Sequence, residues 1–147
     1  MGLVEQLKGQ KVCIDTAPII YFIEKHHTYY SLLHPLFAGI NSGDIKAFTS
    51  TVSLLEVLVL PFKTNNNELA EQYRNILLYS KNFSVFELSN EISERAARLR
   101  AKYDIRTPDA IQIATGIHHG ANAFLTNDAN LRKVIDINIL ILDDFCK

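Results

Sequence analysis

Short apolar segments of strand length alternate along the chain with longer segments in which apolar residues recur at helical spacing. The short segments are bounded by polar and turn-forming residues, as is typical of strands. We predict five of them, at Lys11–Asp15, Ile45–Ser50, Phe83–Leu88, Ala123–Thr126 and Asn138–Leu142. Because strands that alternate with helices pair in parallel, the pattern predicts an α/β fold with a largely parallel sheet of four or five strands, flanked by helices.

The helical segments lie between these strands. We predict helices at Ala17–Lys25, Tyr30–Gly39, Ser53–Leu60, Asn65–Ser80, Asn90–Tyr103 and Ala110–His119, with a short helix at Ala129–Val134. Pro61 is expected to close the third helix and Asn90 to cap the fifth. Thr107 is expected to cap the sixth, with Pro108 in its first turn. No linker or repeat interrupts the alternation, so residues 1–147 are predicted to form one domain.

The composition agrees with a folded domain of this length. The 147 residues are 48% hydrophobic and 21% charged, and the net charge of −1 excludes a strongly basic nucleic-acid binder but not a local basic patch. The longest apolar stretch, Leu54–Phe62, is too short for a membrane helix, and Met1–Gln6 has no signal-peptide pattern, so we expect a cytoplasmic protein without a membrane partner. Cys13 and Cys146 are too few for a disulfide framework or a zinc cluster, and Cys13 is expected to be a buried thiol.

Four acidic residues occupy positions from which their side chains can reach one edge of such a sheet. Asp15 ends the first strand, Glu56 lies one turn into the helix after the second strand, and Asp128 follows the fourth strand by two residues. Asp109 lies at a helix start. Because ligands bind beyond the carboxyl ends of parallel strands, we expect these carboxylates to converge. A carboxylate set without lysine or histidine suits Mg²⁺ or Mn²⁺, and it predicts metal-assisted phosphoryl transfer.

Each acid also has an ordinary structural explanation. Asp15 or Asp128 alone is more often a turn residue at a strand end, and Asp109 alone is more often an acid at a helix start. Glu56 is the least easily explained in this way, because apolar residues flank it on both sides. An acid in such surroundings is costly unless it is paired, protonated or bound to metal. Taken together, the four acids favour the functional interpretation.

A run of basic residues leads directly to Asp109. Three of them share one face of the predicted helix. The run is interpreted equally well as an ordinary solvated face or as a phosphate-binding face. In the second interpretation, the candidate RNA contacts are Arg95, Arg98, Lys102 and Arg106.

Other polar and aromatic residues are given no catalytic role. Adjacent histidines on a helix point to different sides, so surface positions are expected for His26-His27 and His118-His119. Asp143-Asp144 is expected to be a solvated turn. Aromatic rings that can stack bases, but that more often fill a core or a dimer interface, are those of Tyr29, Tyr30, Phe37 and Phe62.

The segments that carry the four acids occur in the order found in a known family. They are Val12–Thr16, Thr51–Val57, Thr107–Ala114 and Phe124–Leu131. In this order the chain resembles PIN-domain nucleases, especially VapC-like toxins of type II toxin-antitoxin systems, over nearly its whole length. No single segment is specific, whereas the four together in so short a chain are. Leu131 departs from the family, in which many toxins have an aromatic residue, and we expect this to alter packing rather than chemistry.

The resemblance implies a fold, an activity and partners. It implies a single PIN-like domain that acts as a metal-dependent endoribonuclease on single-stranded or structured RNA. The Mg²⁺ or Mn²⁺ ligands that it implies are Asp15, Glu56, Asp109 and Asp128. Polar positions beside this cluster match Thr16 and Thr126, and more weakly Asn127. The resemblance to a toxin also implies an antitoxin partner and a homodimer.

Other functions stay open on the sequence alone. Within the family, they are a nuclease of RNA processing that has no antitoxin, or a catalytically silent binding module, against which the intact acids speak. A receiver-type signalling domain needs an adjacent acidic pair after the first strand, but Asp15 is followed by Thr16. A haloacid-dehalogenase-like phosphatase needs a second aspartate two residues after Asp15, where Ala17 stands.

Overall fold

The computed structural model describes residues 1–146, and a five-stranded parallel sheet lies at the centre of this part of the chain. The strands are β1 (Lys11–Ile14), β2 (Lys46–Ser50), β3 (Phe83–Phe86), β4 (Ala123–Thr126) and β5 (Asn138–Ile141). Their order across the sheet is β3-β2-β1-β4-β5, and every neighbouring pair is parallel. The predicted α/β fold with a parallel sheet is therefore confirmed.

Helices cover both faces of this sheet. They are α1 (Leu3–Leu7), α2 (Thr16–Ile23), α3 (Tyr30–Ser42), α4 (Thr51–Lys63), α5 (Asn67–Tyr79), α6 (Asn90–Tyr103) and α7 (Thr107–His118). Two short 3₁₀ turns follow, at Ala129–Lys133 and Leu142–Phe145. The sequence pattern did not predict α1, because five residues are too few to show a helical period. Among residues 1–146, no helix is both long and apolar enough to cross a membrane.

Three predicted helix caps or stops are wrong, and α3 also continues to Ser42, three residues past its predicted end at Gly39. Pro61 does not close α4, which continues to Lys63 with the buried proline inside it. Inside a helix, proline loses its amide hydrogen bond and crowds the carbonyl four residues earlier, and burial of the apolar ring offsets part of this cost. The cap of α6 is Ser89 rather than Asn90, since the Ser89 hydroxyl accepts a hydrogen bond from the Ile92 amide.

The third wrong cap is that of α7. Its N-cap position is held by Arg106, which provides no side-chain cap, so Thr107 is already the first helical residue. Pro108 still lies in the first turn, as predicted, where a missing amide hydrogen costs nothing. The consequence is that Arg106 stands directly beside the start of α7.

Two hydrophobic cores form, one on each side of the sheet. Along β1, Val12 and Ile14 point into the core shared with α1 to α5, whereas Cys13 points into the core shared with α6 and α7. Cys13 is fully buried, as predicted, and burial raises the pKa of its thiol. Gly116 lets α7 lie close to this strand, since a Cβ at that position would be 3.1 Å from the Cβ of Cys13.

The strand order brings three carboxyl ends together. β1 lies between β2 and β4, and the register pairs Ile14 of β1 with Leu125 of β4. Asp15, Ser50 and Thr126 therefore end neighbouring strands on the same edge of the sheet. Because α7 packs against β1 and β2, its first turn also faces this edge.

Candidate active site

The four predicted acids line one cleft at this edge of the sheet. Asp15 follows β1 directly and caps α2, Glu56 lies in the second turn of α4, and Asp109 lies in the first turn of α7. Asp128 follows β4 and caps the first 3₁₀ turn. The cleft has a volume of about 370 Å³. The remaining residues that line it are Thr16, Ala17, Ile20, Tyr21, Arg106, Thr126 and Asn127.

Asp15 is the most deeply placed of these acids. Its residue is 9% exposed, and one carboxylate oxygen accepts a 2.8 Å hydrogen bond from the Thr16 amide. The other oxygen accepts from the Thr126 hydroxyl, also at 2.8 Å. Burial raises the pKa of Asp15 to about 6, although both hydrogen bonds act in the opposite direction. The negative charges of Asp109 and Glu56 contribute to the same rise, so a nearby cation or a proton stabilises this carboxyl group.

Glu56 is tied to Asp15 through the residue between them. The Thr16 hydroxyl donates a 2.5 Å hydrogen bond to one oxygen of the half-buried Glu56 carboxylate. The same hydroxyl lies 3.0 Å from the Ser53 hydroxyl, one turn earlier on α4. The polar neighbour predicted at position 16 therefore contacts a candidate ligand directly.

Arg106 forms a bidentate ion pair with Asp109. The distances are 3.0 Å from Arg106 Nε to Asp109 Oδ2 and 3.3 Å from its terminal nitrogen to Oδ1. The Asp109 side chain is 8% exposed, whereas that of Arg106 is 74% exposed. The hydrogen bond to Asp109, with the charges of Asp109, Asp128 and Glu56, raises the pKa of Arg106. This pairing is one of the ways in which a buried acid becomes tolerable.

Asp128 lies nearer the solvent, and the polar residues before it fix its position. Its amide donates a 3.1 Å hydrogen bond to the Thr126 hydroxyl, and its carboxylate accepts one of 2.9 Å from the Asn130 amide. The Asn127 side chain accepts a hydrogen bond from the amide of Asp143, in the turn that follows β5. Thr126 thus contacts both Asp15 and Asp128.

A buried glutamine that sequence reasoning missed connects these parts. Gln112 is 1% exposed, and its amide group donates to the Ser53 hydroxyl at 2.6 Å. The same group lies 3.3 Å from the Thr16 hydroxyl and 3.4 Å from Asp15 Oδ1. Its carbonyl oxygen accepts from the Ser50 hydroxyl at 2.5 Å. One signal could have found it, because Gln112 is polar within an apolar helix and lies one turn after Asp109, on the same face.

Of the four basic candidates, the structure brings only Arg106 to the cleft. Arg95, Arg98 and Lys102 line a separate depression on the other side of α6, next to Asp136. The Lys102 ammonium lies 3.6 Å from the Asp136 carboxylate. The interpretation of these three residues as RNA contacts stays a prediction.

The donor set of the cleft suits a hard divalent cation, because it consists of carboxylates with hydroxyl and amide neighbours. As the side chains lie, however, no three histidine, cysteine or acidic residues among positions 1–146 are close enough to share one ion. Two of the acids are engaged with other partners. Arg106 contacts both oxygens of Asp109, and Thr16 donates to one oxygen of Glu56. A cation shared by the four acids would compete with the first of these contacts by charge repulsion.

The acids of the C-terminal segment, Asp143 and Asp144, are exposed and lie in the second 3₁₀ turn, which confirms the prediction of a solvated turn, and each also has a side-chain partner. Asp143 accepts a hydrogen bond from the Tyr29 hydroxyl, and Asp144 forms two bonds to Arg132 at 2.6 and 2.7 Å. Both contacts join residues that are distant in the sequence or lie in different turns, so local patterns did not reveal them. Leu131 is fully buried, which agrees with a role in packing.

The histidines and aromatic residues take several environments. His27 and His118 are exposed, which agrees with the predicted surface positions, whereas His26 and His119 are half-buried and His119 stacks on Phe86 with ring centroids 3.6 Å apart. Phe37 is in the core, and Phe62 is 55% exposed. Tyr30 stacks on Phe22, and Tyr29 packs beside the cleft.

A parallel α/β sheet with four acids in a cleft at its carboxyl edge defines a class of candidate metal-dependent hydrolases. The sequence profile of the PIN domain matches residues 12–137, and the chain belongs to the PIN-domain family. Membership in this family supports a hydrolase that acts on nucleic acids. A comparison with curated protein sequences found no significant match.

Solved structures of similar fold include toxin and toxin-antitoxin proteins. VapBC2 from Rickettsia felis, bound to a DNA fragment of its promoter, has a TM-score of 0.69 and 18% identity over 89% of this chain and 98% of that one. DNA-bound VapBC from Salmonella typhimurium has a TM-score of 0.69 and 16% identity over 90% and 98%. Mycobacterium tuberculosis VapC20, a toxin that cleaves the sarcin-ricin loop, has a TM-score of 0.66 and 16% identity over 86% and 98%. At these identities the likeness is one of fold.

Proposed function

We propose that this PIN domain, spanning residues 1–147, is a Mg²⁺- or Mn²⁺-dependent endoribonuclease that hydrolyses phosphodiester bonds of RNA. The metal ligands of the proposal are Asp15, Glu56, Asp109 and Asp128. The observation that carries it is the convergence of these four carboxylates in one cleft, with Arg106 as the single basic residue among them. Four carboxylates and one guanidinium leave an excess of negative charge in the cleft, which attracts a divalent cation. A bound cation offsets this charge and so reduces the repulsion of an anionic phosphate.

The division of work within the cleft follows from its contacts. A bound divalent ion supplies a water of lowered pKa and stabilises negative charge on the phosphate. Thr126 and Thr16 hold Asp15 by hydrogen bonds to both of its oxygens, which keeps the carboxylate oriented. Arg106 is mostly exposed, so its guanidinium can reach a phosphate at the mouth of the cleft. Asn127 links the cleft to the turn after β5.

The proposal extends to a toxin with protein partners. VapBC complexes among the structures of similar fold support an antitoxin as one partner, and the proposal includes a second copy of the chain in a homodimer. An apolar face on α4 supports protein contacts, since Leu55, Val59 and Phe62 share one side of that helix and are 65%, 48% and 55% exposed. The proposed place of action is the cytoplasm, where both RNA and such partners are found.

Cleavage of a mixed cellular RNA pool tests the proposed activity. With Mg²⁺ or Mn²⁺ present, wild type is expected to cut RNA, and Asp15→Asn is expected to lose activity by orders of magnitude, because a charged ligand is removed at nearly constant volume. Asp44→Asn is the matched control, since it makes the same substitution at an exposed position outside the cleft. Expression of wild type, but not of Asp15→Asn, is expected to arrest growth of a bacterial host. Cleavage that persists in excess chelator, or at full rate in Asp15→Asn, would contradict the proposal.

A further inference from the structure

Three aromatic side chains form a cluster at one wall of the cleft. Tyr21 lines the cleft itself, together with Asp15 and Asp109. Its ring stacks on that of Tyr29, with centroids 4.7 Å apart and planes 16° from parallel. The ring of His26 lies 4.7 Å from Tyr21 and 4.8 Å from Tyr29. We call Tyr21, His26 and Tyr29 the ring cluster.

The turn between α2 and α3 holds the ring cluster in place. The chain reverses at Lys25, which adopts a left-handed conformation with φ of 51°. The amide of His26 then donates a 2.8 Å hydrogen bond to the carbonyl of Tyr21. The Thr28 amide donates to Nδ1 of the His26 ring at 3.1 Å, which fixes the orientation of that ring. The rings are therefore positioned by the backbone before any ligand arrives.

The ring cluster is also connected to the floor of the cleft. The Tyr29 hydroxyl donates a hydrogen bond to the Asp143 carboxylate, and the Asp143 amide donates one to the Asn127 side chain at 3.1 Å. Asn127 lies between Thr126 and Asp128, both of which line the cleft. A chain of hydrogen bonds thus connects the rings to the residues that line the cleft, as positioning of a subsite beside a reaction centre requires.

Contacts with the hydrophobic core explain the side of the ring cluster that faces the protein interior, but not the side that faces the cleft. Tyr21 and Tyr29 contact the core beneath them, yet both stay half-buried at the edge of an open cleft, unlike Phe37, which is 8% exposed. Exposed aromatic faces beside a phosphate-binding site are the usual platform on which unpaired bases stack. Such stacking is tolerant of sequence, because every base has a flat face.

We propose that the ring cluster stacks one unpaired nucleobase of the substrate, next to the phosphate that the acids act upon. The proposal rests on the proposed ribonuclease function and adds a base-binding subsite to it, which requires an unpaired nucleotide beside the phosphate that is cleaved. The size of the cleft agrees with this. Its volume of about 370 Å³ lies within the range of ordinary ligand sites and is enough for one nucleotide.

Binding of single-stranded RNA to the Asp15→Asn protein tests the ring cluster without cleavage. The probe is a set of short RNAs, each with 2-aminopurine at a different position, because the fluorescence of this base falls when it stacks. At one position we expect quenching on binding, and we expect Tyr21→Leu to abolish it and to weaken binding by about 5- to 150-fold. Tyr21→Phe, which keeps the ring, should retain both signals. Tyr79→Leu is the control for loss of a tyrosine, since Tyr79 is 76% exposed and lies outside the cleft.

A second measurement does not depend on how Tyr21→Leu folds. An abasic nucleotide at the quenched position should weaken binding to the Asp15→Asn protein as much as the loss of the ring does. Equal affinity for the abasic and intact RNAs, or quenching that survives in a folded Tyr21→Leu protein, overturns the base-stacking proposal. The proposed function fails separately, when wild type does not cut RNA. Metal-dependent cleavage by wild type with no position of quenching leaves the ribonuclease in place and removes the ring cluster as a subsite.

Discussion

Replacing Asp15 by Asn is expected to change the stability of the protein in a way that depends on pH. The folded environment raises the pKa of Asp15 from its ordinary value of 3.8 to about 6, first through burial. A raised pKa means that the folded state binds a proton more tightly than the unfolded chain does. The free energy of unfolding of wild type should therefore decrease as pH rises between about 4 and about 6, and stay low above that range.

The size of the effect follows from the shift. About two pKa units at about 1.4 kcal/mol each correspond to roughly 3 kcal/mol of destabilisation at neutral pH. Asparagine removes this cost, because it carries no charge. It also turns one acceptor oxygen into an amide group, so the Thr126 hydroxyl loses its partner at a cost of about 1 kcal/mol. The variant should be more stable than wild type by about 1–2 kcal/mol at pH 7.5, and equal or slightly less stable at pH 4.

Urea unfolding at a series of pH values from 4 to 8 measures this difference. Chelator must be present throughout, because any bound cation favours the charged form of Asp15 and hides the effect. Asp44→Asn serves as the control, since its exposed carboxylate predicts no crossing of the two stability curves. Parallel curves, with Asp15→Asn less stable than wild type at every pH, would show that the hydrogen bonds of Asp15 outweigh its burial and repulsion.

Two further predictions concern the neighbours of the acids. Gln112→Met keeps the length of the side chain but removes the acceptor of the buried Ser50 hydroxyl and the donor to Ser53. Urea unfolding should therefore show a loss of about 2 kcal/mol, and RNA cleavage should slow by about tenfold or more. Unchanged cleavage would show that the glutamine only fills space. Arg106→Gln should weaken RNA binding and reduce the slope of log binding constant against log salt concentration by about 0.7, because one phosphate contact is lost. The triple change Arg95→Gln, Arg98→Gln, Lys102→Gln should not alter binding of an RNA that fits the cleft, because these residues line a separate depression. The reverse result would assign the phosphate contacts to α6.

The succession of strands and helices along the chain could be predicted because local patterns of apolar residues determine it. Alternating apolar segments indicated the parallel sheet, and a parallel sheet places its carboxyl ends on one edge, so the acids after β1 and β4 were expected on the same edge. That β1 and β4 are neighbours follows only from the strand order of the folded sheet. Glu56 was found for a related reason, as an acid flanked by apolar residues. Helix ends were less certain, because a single buried proline or an adjacent serine decides them, as at Pro61 and Ser89.

The contacts between distant residues could not be predicted in the same way. Gln112 binds Ser53 and Ser50 across two elements that only the folded sheet brings together. Asp143 lies 114 positions from Tyr29, its hydrogen-bond partner, and nothing in the local sequence links the two. Such pairs depend on packing of complete helices against strands, which a one-dimensional pattern does not contain.

The ion pair between Arg106 and Asp109 couples the binding of a cation in the cleft to the binding of a phosphate. A cation bound at Asp109 repels the Arg106 guanidinium that pairs with the same carboxylate, so binding of the cation favours release of Arg106. The released side chain is already mostly exposed and stays close to the cleft, since its backbone stands at the start of α7. An anionic phosphate is then the natural partner for it. The cation occupies Asp109, which otherwise competes with a phosphate for Arg106, and the phosphate occupies Arg106, which otherwise competes with the cation for Asp109. Binding of the cation and binding of the phosphate should therefore favour each other.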